Sequence, residues 1–202
     1  MTQPTADLAP FERDFMALES AASAPYMRFT YSTAADARRA QALLFERAVG
    51  EFVPPAGKLL ILDGRPAGMV ACLTGAALRR ARLAAGAALM RAGLMADSAL
   101  ARRVQLASTT LLKPAAEDFY LSRIAVHEDF RGQGVGAALL RHVLDEAARS
   151  QAPRCVLEVA PEATAAIALY QRHGFEEIDR RAVEDPDTGR TLQYVHMQRV
   201  MA

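Results

Sequence analysis

Three glycines fall within six residues, Arg131-Gly-Gln-Gly-Val-Gly136, between a run that reads as a strand and a run that reads as a helix. Glycine has no Cβ, so backbone built from it can come close to a ligand. The first N–H groups of the helix that follows lack intrahelical partners and point outward, which suits the segment to cradling phosphate. The bland alternative is a tight strand-to-helix turn that holds nothing.

The same residues also fit a dinucleotide fingerprint, Gly132-x-Gly134-x-x-Ala137, with Glu158 as an acid about 20 residues further on. Three details oppose that reading. His127-Glu-Asp-Phe-Arg131 separates the strand from the first glycine, where a nicotinamide fold would turn almost at once. Val159 continues the strand that the acid should end. Only about 65 residues follow the loop, too few for the rest of a doubly wound sheet and a substrate domain.

Other chemistries are excluded more simply. Two cysteines, Cys72 and Cys155, and four scattered histidines cannot assemble a metal cluster, so no metal is expected. Each cysteine sits in an apolar run and reads as a buried free thiol in a reducing compartment. Lys plus Arg number 24 against 23 Asp plus Glu, leaving +1, so no global field favours nucleic acid. Hydrophobic residues make up 51% of the 202, the composition of a globular protein. The start, Met1-Thr-Gln-Pro-Thr-Ala-Asp7, lacks the pattern of a secretion signal. No apolar run reaches the roughly 20 residues that cross a bilayer, so no membrane is implied and a cytoplasmic protein is expected.

The elements that would position the loop follow from periodicity. Residues 1–24 read as a loose arm or a short helix, and Tyr26 to Thr30 alternates like a first strand. A helix should open at Thr33 and end before Pro54-Pro55. Lys58–Leu62 and Gly68–Leu73 read as a hairpin joined across Asp63-Gly64-Arg65-Pro66. Residues 76–107 are rich in Ala, Leu and Arg and read as one long or two shorter amphipathic helices. Beyond Pro114 come a strand at Phe119–Val126, a helix from Gly134 to Ser150 and a strand at Cys155–Val159. A helix from Thr164 to His173 closed by Gly174 follows, then strands near Glu176–Val183 and Thr191–Val200. The helix from Gly134 should turn Val135, Leu139, Leu140, Val143, Leu144 and Ala147 to one face.

Taken together, these residues resemble the GNAT superfamily of N-acetyltransferases, whose cofactor motif [RQ]-x-x-G-x-[GA] corresponds to Arg131, Gly134 and Gly136. Ile124-Ala-Val126 stands four residues before the loop, as in that superfamily. Leu157-Glu-Val159 and Ala165-Ala-Ile-Ala-Leu-Tyr-Gln-Arg-His-Gly-Phe175 look like its second cofactor-side strand and helix. The match is strong over roughly residues 119–180, and there it is most similar to the bacterial ribosomal-protein alanine N-acetyltransferases. The resemblance implies an α/β (α+β) fold: a mixed, mostly antiparallel sheet with a splayed parallel strand pair and helices on both faces. Residues 1–202 would form one such domain, with an Ala/Arg-rich helical insertion at about 76–114 that compact relatives lack.

It further implies transfer of acetyl from acetyl-CoA, as cosubstrate, to the primary amine of a small molecule or a protein N-terminus. A homodimer is common among such proteins. Backbone groups of Ile124, Ala125 and Val126 would pair with the pantetheine arm. The N–H groups of Gly132, Gln133, Gly134, Val135, Gly136 and Ala137 would hold the pyrophosphate, with Arg131 adding charge. Tyr170 matches the proton donor to the departing thiolate, a role a phenol with a reference pKa of roughly 10 can fill. Its alternative is a core tyrosine. Glu158 matches the general base, which would need burial or a water chain to serve an ammonium. Glu117, Asp118 and His127 stay open as other bases, and a structural role for Glu158 stays open too. Ala163 stands where the relatives carry an asparagine that bonds the pantetheine arm, so one cofactor contact is missing or moved. A CoA-binding module without catalysis is therefore the alternative function. Arg79, Arg80 and Arg82 in the insertion would favour an acidic acceptor.

Overall fold

A computed structural model describes residues 3–201; Met1 and Thr2, at the tip of the expected arm, lie outside the described residues. Six strands form one sheet in the order β1-β2-β3-β4-β6-β5. Strands β1 (Gly57–Leu62) and β2 (Arg65–Thr74) form the expected hairpin. Its loop is only Asp63-Gly64, both at positive φ, so Arg65 and Pro66 already belong to β2. That mirror-image two-residue turn matches the twist of the strands it joins. Strand β3 (Phe119–Val126) runs antiparallel to β2 and parallel to β4 (Arg154–Val159). Strand β6 (Thr191–Val200) lies antiparallel between β4 and the edge strand β5 (Glu176–Glu184). The mixed, mostly antiparallel sheet with one parallel pair is as expected.

Among the described residues five α-helices precede β3: α1 (Glu12–Ala22), α2 (Ala24–Thr30), α3 (Ala34–Glu46), α4 (Gly75–Arg91) and α5 (Ser98–Ser108). Two follow it, α6 (Val135–Arg149) and α7 (Thr164–Arg172). Helix α6 covers one face and buries the expected stripe from Val135 to Ala147 against Leu60, Val70, Leu121, Cys155 and Leu157. Phe15 and Leu18 of α1 pack on the other face against Leu59, Met69 and Ala71.

Tyr26 to Thr30 is helix α2, not a strand. Pro25 occupies its first turn, where a missing N–H costs nothing, and Phe29 and Thr30 are its buried positions. A five-residue alternating run is too short to separate the two periods, and the tertiary environment decides between them. Of the two readings of the arm, the short helix holds: α1 covers Glu12–Ala22, and Thr5 bridges Leu59 at the sheet edge. Residues 76–107 form two helices, α4 and α5, on the connection from β2 to β3. Thr33 opens α3 as expected, its hydroxyl accepting from the Asp36 N–H at 3.1 Å.

Leu139 is fully buried and Leu83 of α4 is 76% exposed. Leu139→Ala should therefore lower unfolding free energy by about 2–5 kcal/mol in a denaturant titration, and Leu83→Ala by less than about 0.5 kcal/mol.

Candidate active site

The parallel pair β3–β4 is short. Only Phe119, Tyr120 and Leu121 pair with Cys155, Val156 and Leu157. Beyond that point β3 stays with β2 as far as Val126, and β4 stays with β6 as far as Val159. The cause lies at Ser122. Ala71 faces Arg123 while Cys72 faces Leu121, so Ser122 is the extra residue of a bulge, and a bulge bends its strand. From Ser122 to Val126 the edge of β3 turned from β2 has no strand partner among the described residues, which leaves alternate N–H and C=O groups free. Ile124 and Val126 pack toward α6, and Ala125 toward the opposite core.

The glycine loop lies at the open end of this gap. Gly132 and Gly134 hold φ of +74° and +81°, and a Cβ on either would meet open space. Gly134 caps α6 without a side-chain bond, and the first intrahelical bond runs from the Ala138 N–H to the Gly134 carbonyl. The N–H groups of Val135, Gly136 and Ala137 are therefore unpaired at a helix N-terminus, an arrangement that favours anions. Arg131 is exposed, and Gln133 donates to the Asp129 carbonyl at 2.8 Å. A Cβ at Gly136 would stand 3.3 Å from Leu169, so this glycine also lets α7 approach α6.

Glu158 sits on the other face of the sheet. Its Oε1 accepts from the Tyr120 hydroxyl and its Oε2 from the Leu112 N–H, each at 2.8 Å. Burial lifts its carboxyl above the ordinary value, against the pull of Arg82 and these two bonds. Arg82 of α4 lies 4.0 Å from Glu158, binds Glu51 at 2.7 Å, and donates to the Leu112 carbonyl and the Tyr120 hydroxyl. Arg123 pairs with Glu51 at 3.2 Å and approaches Glu19 at 3.5 Å, while Ser122 donates to Glu51 at 3.0 Å. Burial opposes the charge on Glu51, but Arg82 and Arg123 outweigh it and hold that carboxyl below its ordinary value. Burial lifts Glu19, which Gln41 and Ser23 cradle.

Tyr170 is placed apart from Glu158. It is buried in the α6-side core with Cys155, its ring 5.8 Å from that of Phe175, and its hydroxyl bonds nothing among the described residues. Burial pushes its phenol upward, so it holds its proton near neutral pH. Cys155 and Glu158 point to opposite faces because strand side chains alternate. The two expected catalytic residues thus flank the gap rather than touch.

The alternative bases lie elsewhere. Asp118 accepts a bidentate bond from Arg154 at 3.0 Å at the closed end of the strand pair, and Glu117 is exposed. His127 accepts from the Asp129 N–H on the loop. Of the three arginines expected to meet an acceptor, Arg82 turns inward to the buried cluster, while Arg79, which donates to the Pro114 carbonyl at 3.3 Å, and Arg80 are exposed. Glu19, Glu51, Tyr120 and Arg123 carry no motif; only the tertiary structure brings them to Glu158. Ala163 precedes α7 with no side-chain cap, where the asparagine contact is absent.

This splayed pair, with a free helix N-terminus beside it, defines an acetyltransferase fold of the GNAT kind. The family model for the acetyltransferase (GNAT) family matches residues 18–175, and the chain belongs to that family. Over 84 residues it is 36% identical to the [ribosomal protein bS18]-alanine N-acetyltransferase of Escherichia coli (strain K12). That stretch is 42% of this chain and 57% of that protein, so the chain spans little more than half the length of the curated relatives it matches. A crystal structure of an acetyltransferase superposes with a TM-score of 0.65 at 17% identity, over 100% of both chains. An N-acetyltransferase from Staphylococcus aureus Mu50 does so with 0.58 at 19% identity, over 96% of this chain and 92% of that one.

Because burial and Arg82 act on Glu158 in opposite senses, Arg82→Gln should move its titration further upward. Carboxyl-detected NMR titration should find wild-type Glu158 above the roughly 4.3 of a free glutamate and higher still in the variant. An unchanged value would show that Arg82 exerts no field there.

Proposed function

We propose that the chain transfers the acetyl group of acetyl-CoA to a primary amine. The observation that carries this reading is the gap between β3 and β4, with unpaired backbone N–H groups at its mouth and a buried carboxylate on its far face. The residues fit the cosubstrate: both loop glycines leave open space, and the free edge of β3 offers backbone partners to an amide-bearing arm. Ile124, Ala125 and Val126 would bind the pantetheine arm. The loop from Gly132 to Ala137 would hold the pyrophosphate, with Arg131 adding charge.

In the reaction the neutral amine attacks the thioester carbonyl. A C–N bond forms, the C–S bond breaks, and the electron pair leaves on sulfur. Tyr170, whose hydroxyl is unbonded among the described residues, gives its proton to the thiolate. Glu158, lifted toward neutrality by burial, takes the amine's proton through water. Residues 1–202 read as one such domain, with α4 and α5 as a helical insertion that also delivers Arg82 to the buried cluster. The relatives of known name act on a ribosomal protein's alanine, which makes a protein N-terminus one candidate acceptor.

Acetyl-CoA should raise the melting midpoint of the wild type by mass action. Gly134→Glu, which places a carboxylate where phosphate would lie, should abolish the shift. A shift with no turnover on any amine would instead support a CoA-binding module without catalysis. No shift with either CoA species would remove the reading.

Tyr170→Phe should lower kcat by about a hundredfold or more. The rate should rise with pH as Glu158 deprotonates, because only its carboxylate accepts a proton. Glu158→Gln should erase that limb and leave the one set by the amine.

A further inference from the structure

An open cavity of about 710 Å³ lies beyond the C-terminal end of β4, bordered by α2, the start of α3, Pro161-Glu162 and the first residues of β6. It opens on the face to which Glu158 points. Leu192 lines it, Tyr194 is the next residue of β6 on that face, and His196, opposite Glu158, is the one after. Two steps of about 7 Å along β6 therefore separate the cavity from Glu158. A volume of this size takes a small molecule or a few residues of a peptide.

Its wall is charged in one sense. Arg28, Arg38 and Arg190 line it against a single acid, Glu162. None of the three arginines forms an ion pair among the described residues. Arg190 is aimed by two backbone carbonyls, those of Tyr31 at 2.9 Å and Arg28 at 3.3 Å, which cannot neutralise it. Asp36, the nearest other acid in sequence, is turned onto its own helix and accepts from Thr33 at 2.7 Å. The floor is polar but satisfied: buried Gln41 binds Glu19, Ser20 and Ser23.

Resting on the acetyl-transfer reading, we propose that this cavity receives the acceptor, and that the acceptor carries a carboxylate on the order of 10 Å from its amine. The planar guanidinium groups bind the carboxylate in forked pairs. The amine end then extends past Pro161, just beyond the end of β4, toward the gap.

The test compares the tripeptide amides Ala-Ala-Asp and Ala-Ala-Asn, equal in shape and different in charge. Calorimetry on the CoA-saturated protein should find the acidic peptide bound at least about tenfold more tightly, with an advantage that shrinks as ionic strength rises. The doubly substituted Arg28→Gln/Arg38→Gln protein should lose most of that preference. Neither side chain makes a bond among the described residues, so this variant keeps its fold even where Arg190→Gln does not. Equal affinities, failure of both peptides to bind, or a preference untouched in the double variant would overturn the inference. Turnover is measured separately on the same peptides. Arginine-dependent binding without acetylation would support the anion-binding cavity while removing the acetyl-transfer reading.

Discussion

β3 and β4 share three parallel residue pairs and then part at the Ser122 bulge, and the candidate site depends on that parting. A parallel ladder continued to Val126 would consume the backbone groups of Ser122 to Val126 and close the gap between the two strands. The bulge frees them without cost to the rest of the sheet, because each strand keeps its antiparallel partner on the other side. The glycine loop then follows directly from the free strand, so the unpaired N–H groups of α6 arrive at the mouth of the gap.

The gap's far face is held by charge rather than by apolar packing. Arg82 and Arg123 stand between Glu19, Glu51 and Glu158, with Tyr120 and Ser122 completing the bonds. Charges so deeply buried are tolerated only when paired, and removing one member leaves its partners exposed to the full cost of desolvation. The cluster joins α1, the segment before β1, α4 and both parting strands. Geometry around Glu158 is thereby coupled to helices far away in sequence. The closed end of the pair has its own anchor in Asp118 and Arg154.

Much of this was legible in the residues. The second half reads from its periods: the strand before the loop, the apolar stripe of α6, and the short strand at Cys155 all fall within a residue or two of their observed limits. The Asp63-Gly64 turn and the Thr33 cap announce themselves by side-chain type. Tyr26 to Thr30 was not legible, because five residues satisfy either period and only burial of Phe29 and Thr30 against neighbouring elements selects the helix. The inward turn of Arg82 was equally hidden. A basic helix looks alike whether its arginines meet water or a buried carboxylate.

The sequence by itself determined what is local: where backbone can approach a phosphate, which helix faces are apolar, and which residue types stand ready to move a proton. Those properties depend on chain stereochemistry and on spacing within a few residues. Tertiary structure alone decided what is non-local. It set Tyr170 and Glu158 on opposite faces of one gap, gathered Glu19, Glu51, Arg82 and Arg123 from four separate segments, and left Arg28, Arg38 and Arg190 around a cavity. The physical reason is that ion pairs and burial act through space, and a carboxylate's proton affinity follows from groups that the chain brings near it only when folded.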